Sequence, residues 1–125
     1  MKSNQEILDE FGKIITNDCF DPAYANLLGL KQKENPPLIF KEFSELFKKM
    51  NKKDFQILQK YFSESLKGIL FNFLRGFEEN EEFKLYYEKD EQKVNLVEIS
   101  EMLKAEPIIE NGWIERFSKE LKSEK

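Results

Sequence analysis

The chain has 125 residues, 40% hydrophobic and 35% charged, with twenty Lys and Arg against twenty-four Asp and Glu for a net charge of −4. That length suits one globular domain, 1–125, which buries roughly two-thirds of its unfolded surface without disulfide or metal staples. The absence of histidine removes the commonest general base and metal ligand, and with it Ser-His and Cys-His nucleophiles and zinc hydrolase motifs.

The N-terminus, Met1-Lys2-Ser3-Asn4-Gln5-Glu6, turns acidic at once and has no apolar signal core. Ser3 and Glu6 have the spacing of a capping box. Ile7, Leu8, Phe11, Ile14 and Ile15 follow at helical intervals, which predicts a helix over 4–16. Gly12 interrupts its apolar side at a cost of about 1 kcal/mol relative to Ala, and so marks a close helix contact. Cys19 is the only cysteine. It excludes an intrachain disulfide, fits a reducing cytosol, and reads as a small buried apolar residue. Asp18 and Asp21 beside it disfavour a thiolate.

Asp21-Pro22 starts a second, short helix through Leu28, with Gly29 as its stop. The polar stretch 31–37 ends in Pro36-Pro37 and is the clearest loop. Ile39, Phe43, Leu46, Phe47 and Met50 predict a helix over 38–50. Lys48 and Lys49 would lie at its C-terminus, where the helix dipole favours cations. The strongest signal runs from Asp54 to Phe77, where Phe55, Leu58, Phe62, Leu66, Ile69, Phe73 and Phe77 form one stripe and further apolar residues widen it. A helix apolar on several sides is expected at the centre of the fold.

Glu78-Glu79-Asn80-Glu81-Glu82 breaks the period, and aromatic and β-branched residues on both sides of Lys89–Lys93 predict a β-hairpin near 83–97. Its turn lacks the favoured Asn-Gly or Asp-Gly pair. A helix is expected from 97 or 98 until shortly before Pro107, and a last helix from Asn111 through Leu121, with 122–125 fraying. Three Phe-Ser pairs, Phe43-Ser44, Phe62-Ser63 and Phe117-Ser118, look alike, but their unequal spacing does not support a fixed-period repeat. The expected fold is α+β and predominantly helical: five to six helices around a central helix at about 54–77, with a small β-hairpin near 83–97.

Few residues suggest chemistry. Glu78, Glu79, Glu81 and Glu82 are the densest carboxylate cluster, and Asp90 and Glu91 extend it at the hairpin tip. Consecutive glutamates in a turn diverge into water, so a solvated turn or a partner-binding edge is expected rather than a metal or catalytic site. Tyr86, Tyr87 and Trp113 are the aromatics suited to interface anchoring, against the plainer alternative of core packing. Adjacent strand residues face opposite ways, so only one of the two tyrosines can point at a single covered face.

The five glycines are scattered, so no phosphate-binding loop is present. The acidic balance argues against a nucleic-acid partner. No apolar run approaches the roughly 18 residues of a membrane span, so a soluble, cytoplasmic chain with no membrane partner, cofactor or metal is expected. In size and charge it resembles the small acidic immunity proteins with which bacteria neutralise toxins, a likeness no motif carries further. The leading expectation is a non-enzymatic protein-binding module with an acidic surface made by Glu78, Glu79, Glu81, Glu82, Tyr86, Tyr87, Asp90, Glu91 and Trp113. A homo-oligomeric structural or regulatory protein is second, and a histidine-independent enzyme third.

Overall fold

The computed structural model describes residues 1–123 and is predominantly helical with one two-stranded hairpin, as the sequence predicts. Residues 124 and 125, part of the tail expected to fray, lie outside it. α1 (Asn4–Ile14) begins with the full capping box: Ser3 Oγ accepts from the Glu6 amide, and Glu6 accepts from that of Ser3. It does not stop at Thr16. The path continues through a π-helical turn (Ile15–Phe20) into α2 (Asp21–Gln32), with helical dihedrals at both joints.

The wider π turn redirects the buried face. Ile7 and Leu8 of α1 join Leu74, Leu96, Leu103 and Trp113 in one core cluster. Phe20 and Tyr24, beyond the turn, join Ile114 in a second. Cys19 is exposed, contrary to expectation, because Thr16 and Phe20 occupy the inward positions of the turn. Gly29 does not end α2 either. The helix runs on to bury Leu30, whose carbonyl accepts a 2.6 Å hydrogen bond from Ser44 Oγ.

Leu38–Phe40 form a 3-10 turn, and α3 (Lys41–Lys49) follows. α3 meets α2 through the buried Ser44, and its end is fixed by Lys31, whose ammonium donates to the carbonyls of Phe47 and Met50 at 2.8 and 2.9 Å. Asn51 caps α4 (Lys52–Glu79), the long helix of the fold. It packs on α2 and the second cluster through Phe62, Leu66 and Leu70, and on the first through Leu74. The side away from these contacts is open: Ile57, Tyr61, Ile69 and Phe73 are each at least 60% exposed.

β1 (Tyr86–Lys89) and β2 (Gln92–Asn95) pair antiparallel, with Tyr86 opposite Asn95 and Lys89 opposite Gln92. The strands are shorter than expected. Asp90 and Glu91 form the two-residue turn at φ 48° and 68°, the positive-φ pair such a hairpin needs, here without glycine. Gln92 exchanges two hydrogen bonds with the Lys2 backbone, which ties the turn to the start of α1.

The helix expected over 97–106 is broken into α5 (Leu96–Ile99) and a 3-10 turn (Leu103–Ala105). The chain is non-helical at Ser100 and Met102, and Glu78 Oε1 accepts from the Lys104 amide at 2.8 Å, which satisfies a first-turn donor of the 3-10 turn. The last helix is broken as well, into α6 (Trp113–Phe117) and α7 (Lys119–Ser123). Asp21 lies at the break. Its carboxylate accepts from Ser118 Oγ at 2.6 Å and from the Lys119 amide at 2.9 Å, and Ser118 Oγ in turn caps α7.

Candidate functional site

The residues expected to form an acidic surface separate into three groups. Glu78 is half-buried and internal in role: besides the Lys104 amide it holds the Lys104 ammonium at 3.6 Å, pinning the 103–105 turn to α4. Glu79 pairs loosely with Arg75 one turn back, at 3.8 Å. Glu81 and Glu82 are exposed in the turn after α4. Asp90 and Glu91 sit at the tip of the hairpin, exposed, in backbone conformations set by the turn.

Tyr86 and Tyr87 point to opposite faces. Tyr87 packs against the first core cluster, with the Lys2 ammonium 5.4 Å from its ring centre. Tyr86 is 44% exposed under the Lys93 ammonium, at 4.6 Å. Trp113 is fully buried and offers no surface. Its ring meets Phe11 edge-on at 5.7 Å and lies directly over Gly12, where an added Cβ would overlap the indole. Gly12 therefore does mark a close contact. The partner is an aromatic side chain that no helical period could single out.

Sequence reasoning missed the groove at the C-terminal end of α4. Phe73, Gly76, Phe77 and Asn80 stand at i, i+3, i+4 and i+7 on one side of the helix, and Phe83 closes the groove from the following turn. Phe73 and Phe77 contact edge-to-face at 5.4 Å. Phe73 and Phe83 are 61% and 66% exposed. Gly76 forms the floor, with no atom within 4 Å of where a Cβ would stand. Glycine in a helix interior costs about 1 kcal/mol relative to Ala, and here no neighbour among the described residues uses the space. Glu79, Glu81 and Glu82 neighbour the lining residues Asn80 and Phe83 in sequence, although no carboxylate lines the groove itself and Glu79 is turned to Arg75. The sequence carried one signal for it: α4 has more apolar residues than a single face can bury.

Charge is unevenly distributed. Residues 31–60 carry eight lysines against four carboxylates, whereas the rest of the chain carries twelve cations against twenty carboxylates. α4 links the two regions with charges opposed to its dipole: Lys52 and Lys53 in its first turn, Glu78 and Glu79 in its last.

Among the described residues no group of three Asp, Glu or Cys side chains converges to hold a metal ion, and no helix is long and apolar enough to cross a membrane. Glu106 is the carboxyl whose protonation is displaced most clearly. Burial pushes it above the ordinary value, the Arg116 charge partly opposes that shift, and Asp9 and Glu101 add to it. It lies beside the Asp9–Arg116 ion pair, a link between α1 and α6 rather than a cleft. Compared with protein-family models, curated proteins and solved structures, the chain matches none.

Proposed function

We propose that the chain is a non-enzymatic protein-binding module whose contact site is the groove of Phe73, Gly76, Phe77 and Phe83, together with the exposed Glu81 and Glu82 of the following turn. The observation that carries this reading is the open glycine floor between exposed phenylalanines, with Glu81 and Glu82 exposed in the turn that follows. A partner segment that fits is an amphipathic helix with an apolar ridge for the groove and basic residues for the glutamates. Binding of this type draws affinity from the buried aromatic anchors, and on-rate and selectivity from the charged residues beside them. Inhibition of a basic toxin, in the manner of an immunity protein, is one use of such a site and rests on size and charge.

The test uses Gly76→Leu, which fills the groove while improving helix propensity. Wild-type and Gly76→Leu baits are compared in pull-downs from lysate of the source organism at low and moderate salt. One stoichiometric protein, weakened by salt and lost from the Gly76→Leu bait, is the expected result. A protein held equally by both baits places the contact elsewhere. Recovery of only the chain itself, lost with Gly76→Leu, makes the groove a homo-oligomer interface.

A further inference from the structure

We propose that the opposite end of α4, with α3 and the 3-10 turn before it, is a docking face for an anionic membrane surface. Three observations carry the proposal, and none involves the groove at the other end.

The first is an apolar stripe that the fold leaves uncovered. Phe43 and Leu46 lie one turn apart on α3, with Ile39 in the 3-10 turn before it on the same i, i+4, i+7 spacing and the half-buried Met50 at its C-cap. α3 docks by the neighbouring side instead, through Ser44 on α2 and Phe47 against Phe55 at 6.1 Å. Phe43 and Leu46 are consequently 50% and 58% exposed. Leu38 and Ile39, at the head of the stripe after Pro36-Pro37, are 86% and 78% exposed and stand out from the surface.

The second is the charge around the stripe. From Lys33 to Lys60 there are seven lysines, and none has a carboxylate within 4 Å among the described residues. Lys41, Lys48 and Lys49 share α3 with the stripe, alongside Glu42 and Glu45, and Lys52 and Lys53 follow directly. The last two lie at a helix N-terminus, where cations are disfavoured, so helix stability does not account for them.

The third is that the stripe is held outward. Lys31 ties the end of α3 through two carbonyls, with its ammonium 4.7 Å from the Phe55 ring centre, which fixes how α3 sits. A protruding apolar ridge among unpaired lysines has the chemistry of interfacial helices, whose apolar residues enter the acyl boundary while lysine stems reach the anionic headgroups. The sequence-based expectation of no membrane partner rested on the lack of a spanning segment, which does not bear on surface binding.

The test is flotation of the full chain with phosphatidylcholine vesicles, with and without about 30% phosphatidylserine, at low and at roughly threefold higher salt. The expected result is binding to the anionic vesicles alone, weakened by salt. It should fall at least tenfold in Leu38→Glu/Ile39→Glu and in Lys52→Glu/Lys53→Glu, and be unchanged in Gly76→Leu. These side chains are exposed, and circular dichroism confirms that each variant is folded. No binding to anionic vesicles at low salt overturns the proposal, as does binding that Leu38→Glu/Ile39→Glu leaves intact. The Gly76→Leu arm keeps this outcome separate from that of the groove.

Discussion

At Gly12 a single hydrogen atom decides the packing. Trp113 lies flat against the helix there, and a methyl group would meet the indole carbons and Nε1. Gly12→Ala gains helix propensity but overpacks the core, so a net loss of about 1–3 kcal/mol is expected in chemical denaturation. Glu106 makes the second residue-scale case. Its carboxyl titrates above the ordinary 4.5, chiefly through burial, so the folded state holds a proton that the unfolded chain releases. Stability therefore falls as pH rises from the ordinary value through the raised one, and stays lower above it. Glu106→Gln should raise the melting temperature at neutral pH and change little below about pH 4. An equal gain at both values would mean that the charge is not the cause. Parts of this scale could be read from sequence: the capping box and the close approach at Gly12 were visible. The burial of Ser44 and Ser118 was not, because polar letters mark them as surface, although each follows a phenylalanine in the recurring Phe-Ser pair and each satisfies its hydroxyl inside the fold.

At the scale of elements, the helical period located almost every segment and misplaced the ends wherever a distant side chain competes for a backbone group. Glu78 takes the Lys104 amide and Asp21 takes that of Lys119, and each holds the start of the second piece of a helix expected to be continuous. Such competition comes from residues 26 and 98 positions away, beyond any local window. The π turn is invisible for the same reason, since its purpose is to point Phe20 and Tyr24 at Ile114. α4 was legible as the dominant helix, but its surplus apolar surface was not assignable to core or exterior from pattern alone. Its terminal charges yield a prediction at this scale. Lys52→Glu/Lys53→Glu reverses an unfavourable dipole interaction, worth about 0.3–1 kcal/mol per charge at low salt, so thermal melts should show a more stable protein. That gain would accompany the loss of vesicle binding, whereas a structural role for these lysines requires a less stable one.

Across the whole molecule, α4 spans roughly 40 Å at 1.5 Å per residue. A lysine-rich end with exposed apolar side chains lies at its start, and a phenylalanine-lined groove followed by exposed glutamates at its finish. The sequence-based reading grouped Glu78, Glu79, Glu81 and Glu82 as one surface and missed the phenylalanine groove beside them. It accounted for Lys48 and Lys49 chiefly by the helix dipole, with a phosphate or acidic-partner contact as the alternative, because charge segregation along a folded axis appears only once the axis exists.

The seating of Trp113 on Gly12 also sets a schedule for the chain in the cell. The first helix cannot close its core until a tryptophan 101 residues downstream has been made. At translation rates of about 5–20 residues per second, α1 waits roughly 5–20 s with its apolar side uncovered. A chain truncated before Trp113 would keep the Leu74, Leu96 and Leu103 contacts of α1 but lack the side chain that covers Gly12.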